Sequence, residues 1–229
     1  MTQENKPSIT LAFDVYGTLI NTQGVVTALQ KLIGDKAEEF SRTWREKQLE
    51  YSFRRGLMRD YEQFSICISN ALDYTCAYYK TPLTETQKNE LRGAYRVLPA
   101  FDDVKESLAR LKENNYPLYA FSNGSADTVD MLLTTAGIRD FFIDIVSVDD
   151  IKTFKPNPDV YHYFIEKTGA SDSSAWLISS NPFDVIGAIS AGWKAAWVKR
   201  SENIIFDPWG IEPSLVVNSL SELNDQFFL

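Results

Sequence analysis

An α/β fold, with a doubly wound parallel sheet as its core and a helical insertion after the first strand, is predicted by three observations. Five short apolar runs, ITLAFD, YPLYAFSNGS, FIDIVSVDD, AWLISSN and KAAWVKR, end in small, polar or charged residues. Helical patterns lie between the later runs. A long stretch after the first run is helical throughout.

The runs are near-continuous rather than alternating, which marks strands buried on both faces. ADTVDMLLTTAG and PDVYHYFIEKTG run from helix starts to a glycine stop, and FDVIGAISAGW ends at Gly192. Alternation of strand and helix implies right-handed crossovers and a Rossmann-like sheet. In such sheets chemistry collects beyond the carboxyl ends of the strands, near the point where the strand order reverses. The segments AEEFSRTWREKQLEYSFRRGLM and YEQFSICISNALDYTCAYY are rich in Trp, Tyr, Arg and Glu and carry no strand signal. They place a helical insertion at residues 20–98, with Pro99 near the return, and leave 1–19 and 99–229 as the core.

The 229 residues suffice for a sizeable core. A composition of 44% apolar and 24% charged residues is that of a globular protein rather than a disordered or fibrous one. The net charge of -8, without a long basic run, argues against nucleic acid or an anionic membrane surface as the main partner, since both require a clustered positive field. A small anion is still admissible, because a few cations in a pocket override the global sign. MTQENKPSIT lacks the charged and apolar regions of a leader, and no long apolar run spans a bilayer, so a cytoplasmic protein is expected. Cys67 and Cys76 are nine apart in a helical segment, about 13 Å along the axis, too far for a disulfide. With no partner ligands nearby, both read as buried apolar residues rather than a zinc site.

His162 is the single histidine and lies mid-helix in PDVYHYF, so histidine-based nucleophilic catalysis is disfavoured and a helix-surface or core role preferred. Carboxylate nucleophiles need no histidine. Asp14 ends the first strand, Ser122-Asn123-Gly124 follows the second, Lys155-Pro156 precedes a helix, and Ser179-Ser180-Asn181 with Asp184 closes AWLIS. Singly, Asp14 reads equally as a turn cap, Asn123-Gly124 as a turn and Lys155 as a surface charge. Jointly, polar groups at adjacent strand ends converge on one crevice.

FDVYGTL, SNGS, KPNPDVY and SSNPFDVIGAISAG resemble, in order, the four motifs of the haloacid dehalogenase superfamily. The insertion resembles that superfamily's helical cap, and WREKQLEYS resembles the cap of the L-2-haloacid dehalogenase family. Tyr16 separates the branches. Phosphatases of the superfamily carry a second acid there, which protonates the leaving alcohol, and a further acid in the fourth motif that completes a magnesium site; here those positions are Tyr16 and Ser180. Only Asp14 and Asp184 remain as anionic ligands, with Lys155 competing for their charge, which disfavours magnesium. A halide departs without a proton. The resemblance therefore implies an enzyme with no metal or other cofactor.

It further implies that Asp14 displaces halide from a short L-2-haloalkanoate to form an aspartyl ester, which water opens to an inverted 2-hydroxyalkanoate. In that scheme Arg45, Asn123 and the Phe183 edge receive the halide, and Ser122 with the N–H groups after Asp14 holds the carboxylate. Lys155 supplies the counter-charge that orients Asp14, and Asp184 positions Lys155 or the water. Thr18, Ser179 and Asn181 order Asp14 and the water, Tyr16, Leu49 and Phe64 form an apolar wall, and Tyr161 supports the Lys155 loop at a family binding position. By spacing alone Arg45, beside Glu46, Lys47 and Glu50, reads as a solvated charge, and only the cap motif reverses that. Three departures from the family pattern stand out: Phe183 in place of Trp, Pro182 in the same loop, and Glu46 in place of Gln, which is expected to face solvent. Alternatives are a magnesium-dependent phosphatase and a non-catalytic binding member. Trp44, Tyr51, Tyr78 and Tyr79 suggest an association surface, and the resemblance suggests a homodimer.

Overall fold

The computed structural model describes residues 9–227; most of the MTQENKPSIT stretch, on which the expectation of no leader rests, lies outside them. The five apolar runs form β1 (Thr10–Asp14), β2 (Leu118–Ser122), β3 (Asp144–Ser147), β4 (Ala175–Ser179) and β5 (Lys194–Val198). A sixth strand, β6 (Leu215–Val217), was not legible in advance: it is three residues long and only Val217 is buried. All pairings are parallel, in the order β3-β2-β1-β4-β5-β6. The chain winds outward from β1 in both directions, so the order reverses beside β1 and its carboxyl end opens on the crevice that this topology creates. Every residue of β1 is buried, as expected of a strand covered on both faces.

The insertion after β1 carries α1 (Gly24–Ile33), α2 (Ala37–Met58), α3 (Phe64–Tyr78) and α4 (Glu85–Ala94). On α2 the buried residues are Ala37, Phe40, Trp44, Gln48 and Ser52, spaced three or four apart, so they form one stripe against α3. Arg45 and Leu49 each follow a stripe residue and share the next face round, which looks onto the crevice. Trp44 is therefore no surface residue: it is fully buried, and its indole N–H donates to the Ile68 carbonyl at 2.9 Å. Tyr78 is 63% exposed, and Glu46 is exposed as anticipated. Cys67 and Cys76 are both buried in α3, and neither is in a disulfide.

The outgoing and returning segments run side by side. The Asn21 N–H donates to the Pro99 carbonyl at 2.8 Å and the Phe101 N–H to the Leu19 carbonyl at 3.0 Å. The remaining helices are α5 (Val104–Glu113), α6 (Ala126–Thr135), α7 (Pro158–Thr168), α8 (Pro182–Ser190) and α9 (Leu220–Phe227). Gly192, at φ +93°, lies just beyond α8. His162 is exposed on α7. Among the described residues no helix is long and apolar enough to cross a membrane.

Candidate active site

Asp14 is the last residue of β1, and the chain must turn away from the sheet at once. Gly17 takes φ +87°, a conformation that costs an L side chain and not glycine. The turn closes through the Gly17 N–H on the Ile20 carbonyl and the Leu19 and Ile20 N–H groups on the Val15 carbonyl, at 2.9 to 3.0 Å. It brings Thr18 back over Asp14, four residues on.

The two oxygens of Asp14 are held unequally. Oδ2 accepts from Thr18 Oγ1 at 2.7 Å and from Asn181 Nδ2 at 2.8 Å. Oδ1 has one partner, Lys155 Nζ, at the long distance of 3.4 Å. Asn181, the residue before α8, makes no cap bond; its Nδ2 donates to Asp14 Oδ2 and, at 3.3 Å, to the Tyr16 carbonyl.

Lys155 is 1% exposed. Its ammonium donates to Asp184 Oδ2 at 2.9 Å and to the Phe121 carbonyl at 2.9 Å, and stands 4.0 Å from the centre of the Phe121 ring. A buried ammonium needs such company, because desolvation is costly and paired charge offsets it. Asp184 is fully buried and accepts a second bond, from the Tyr161 hydroxyl at 2.8 Å. Burial pushes the Asp184 carboxyl above its ordinary value of 3.8, against the pull of Lys155, and raises the Tyr161 hydroxyl as well.

A small, partly open cavity lies over Asp14, with about 10 Å³ available to the centre of a water-sized sphere. That is room for one water. Arg45, Leu49 and Phe64 come from α2 and α3, Tyr16, Ser122, Asn123 and Asn181 from the strand ends and Phe183 from the first turn of α8; with Asp14 and Lys155 they complete the lining. All were singled out in the sequence. Arg45 Nη2 donates to the Tyr16 carbonyl at 3.3 Å. Asn123 Oδ1 accepts from the Lys155 N–H at 3.0 Å, which assigns its Nδ2 to the cavity side. Tyr16 is 6% exposed, and burial pushes its hydroxyl up to about 12, so the ring stays neutral.

Two expected positions fall elsewhere. Tyr161 does not line the cavity as a binding residue would: it lies fully buried behind Asp184, and Gly187 makes room for it, since a Cβ there would sit 2.4 Å from the Tyr161 hydroxyl. Ser179 is also fully buried off the cavity, and its Oγ accepts the Asn181 N–H at 3.1 Å. One contributor has a role the sequence does not assign. Ser180, one of the polar strand-end groups in the run SSN, donates to the Gly17 carbonyl at 2.7 Å, while its N–H donates to Thr18 Oγ1 at 2.8 Å.

Comparison with known proteins bears on what this arrangement is. The model of a hydrolase family described as haloacid dehalogenase-like hydrolase matches residues 10–192. The chain belongs to that family. Among curated members of the haloacid dehalogenase-like hydrolases it is 35% identical over 217 residues to an (S)-2-haloacid dehalogenase of Pseudomonas sp. (strain YL), covering 95% of this chain and 93% of the relative. It is 36% identical over 207 residues to haloacetate dehalogenase H-2 of Moraxella sp. (strain B), covering 90% and 92%. The solved L-2-haloacid dehalogenase of Xanthobacter autotrophicus with chloropropionic acid covalently bound superposes with a TM-score of 0.90 at 29% identity, covering 96% of this chain and 98% of that one.

The magnesium ion used by phosphatases of the superfamily does not fit this donor set. The Lys155 ammonium already bonds both Asp14 Oδ1 and Asp184 Oδ2, and the residue at the third acidic position, Ser180, spends its hydroxyl on Gly17. Among the described residues no three His, Cys, Asp or Glu side chains are placed to share a metal ion.

Proposed function

We infer that the chain is a hydrolytic dehalogenase of short L-2-haloalkanoates that works through an ester on Asp14. The observation that carries this reading is the unequal treatment of the Asp14 oxygens beside a small cavity that Asp14 lines: Oδ2 is tied by two short bonds, while Oδ1 keeps one long bond. Oδ1 attacks carbon 2 from behind, the carbon–halogen bond breaks, and the halide leaves with the bonding pair. Back-side attack inverts the centre. Water then adds to the Asp14 carboxyl carbon, the hydroxy acid departs with the former Oδ1, and the carboxylate is restored. The net reaction consumes one water and releases one proton.

Arg45 and Asn123 Nδ2 stabilise the departing halide with the Phe183 edge, and Ser122 with the N–H groups after Asp14 holds the substrate carboxylate. Lys155, braced by Asp184 and Tyr161, offsets the repulsion between the substrate and Asp14. Thr18 and Asn181 fix the orientation of Asp14, with Ser179 holding the Asn181 backbone. Tyr16, Leu49 and Phe64 exclude bulk water. In this scheme residues 20–98 act as a cap closing over a core of 1–19 and 99–229. A homodimer is part of the same proposal, supported by exposed Tyr78, Leu57 and Met58 on α2 and α3. So is a cytoplasmic location, supported by two cysteines left as free thiols, with Cys67 pushed up to about 11 by burial.

The test is chloride or bromide release from L- and D-2-halopropionate with EDTA present. Release from the L enantiomer, giving a hydroxy acid of inverted configuration, is expected. No halide from either, together with magnesium-dependent phosphate release from small esters, would sink the reading.

The Asp184 carboxyl also sets a pH dependence. Because its folded value is raised, the folded state binds this proton more tightly than the unfolded chain, so its contribution to stability falls as pH climbs from 3.8 through the raised value. Activity runs the other way, since an ionised Asp184 is needed to brace Lys155. In a profile of kcat against pH, the acid limb should have its inflection above 3.8 and should move in Asp184→Asn. An identical limb in the variant assigns it to another group.

A further inference from the structure

Arg200 lies two residues beyond β5, at the same end of the sheet as the other strand-end residues, yet it does not line the cavity. Its guanidinium is divided between two tasks. Nε and Nη2 both donate to the carbonyl of Thr18, at 3.2 and 2.7 Å. Nη1 reaches both oxygens of Asp103, at 2.8 and 2.7 Å. The Leu220 N–H also binds Asp103 Oδ2 at 2.7 Å, and the guanidinium carbon stands 4.2 Å from the centre of the Phe101 ring. Thr18 is fully buried, and the Arg200 side chain is 10% exposed.

A buried carbonyl needs a partner, and one donor would satisfy it. Two donors on one rigid plane do more: they fix the direction of the carbonyl, hence the tilt of the peptide after Thr18 and the direction of its side chain. That side chain ends in the hydroxyl that donates to Asp14 Oδ2 at 2.7 Å. Asp103 neutralises the guanidinium and anchors it to the returning segment, so the outgoing turn and the return are held by one group.

We propose that Arg200, braced by Asp103, is a positioning residue for the nucleophile. It acts through Thr18 to hold Asp14 with Oδ2 engaged and Oδ1 presented to substrate. The proposal rests on the reading of Asp14 as nucleophile.

Arg200→Met and Arg200→Lys in the full chain test it, the second retaining a charge for Asp103 without the planar fork that also reaches Thr18. With L-2-bromopropionate, kcat should fall roughly 10- to 100-fold, as misorientation of a reacting group does, while KM stays within about twofold. In a Thr18→Val background the same change should cost less than about threefold, because the bond being positioned is already absent. Unchanged kcat in a folded variant, or an equal loss with and without the Thr18 hydroxyl, overturns the proposal. If Arg200→Met does not fold, Arg200→Lys carries both comparisons. If the unsubstituted protein releases no halide, the functional reading fails instead, and crystal structures decide the positioning. Thr18 Oγ1 beyond hydrogen-bonding reach of Asp14 Oδ2 in Arg200→Lys supports it, and an unchanged 2.7 Å overturns it.

Discussion

Asp14→Asn should lower halide release from L-2-halopropionates by at least about ten-thousandfold, the scale seen when an enzyme loses its nucleophile. The amide oxygen of the variant would take the Oδ2 place, where Thr18 and Asn181 both donate, which turns the amide nitrogen toward Lys155. The group presented to substrate is then a donor with no pair to share. The fold should survive, since Lys155 keeps Asp184 and the Phe121 carbonyl as partners. Halide release followed beside circular dichroism separates the two effects. A folded variant with more than a hundredth of the original rate would place the nucleophile elsewhere.

Lys155→Met should be damaging in both respects. The substitution keeps much of the apolar stem and removes the cation lying between Asp14 and Asp184, leaving two carboxylates in one buried site. Breaking a buried ion pair in this way costs about 3–5 kcal/mol. For a chain of this size that lowers Tm by roughly 10 °C. Activity should fall more than about a hundredfold, since the anionic substrate then meets two uncompensated negative charges. Urea unfolding and single-turnover halide release measure the two losses separately. A variant of native stability would show that the ammonium is not what holds the carboxylates together.

How far such a site can be read from sequence depends on how local its signals are. Asp14, Asn123, Lys155 and Asn181 were legible because each follows, or sits near, the end of an apolar run, and a parallel sheet brings such ends together. Arg45, Leu49 and Phe64 are different. On α2 an arginine beside Glu46, Lys47 and Glu50 reads as a solvated charge, and only the resemblance of WREKQLEYS to a known cap placed it over the crevice. Trp44 shows the converse: its neighbours suggested a surface, whereas the stripe Ala37, Phe40, Trp44, Gln48 and Ser52 buries it. Tyr161 comes from a match to a family binding position, and it lies behind Asp184 rather than on the cavity wall, because a motif match does not tell a wall residue from the one behind it. The Arg200–Asp103 pair joins residues 97 apart and serves a backbone carbonyl, which carries no side-chain signature. Its one trace is that VKR, like the other motifs, ends a strand.

The central claim, a covalent ester on Asp14, is tested most directly by a single turnover with enzyme in excess in oxygen-18 water, followed by mass spectrometry of the Asp14 peptide and of the hydroxy acid. Water that opens the ester at the carboxyl carbon leaves its label on Asp14, and the product of that first turnover carries the unlabelled oxygen that was Oδ1. Label in the product with an unlabelled Asp14 would mean that water attacks the halogen-bearing carbon itself, and would contradict the ester.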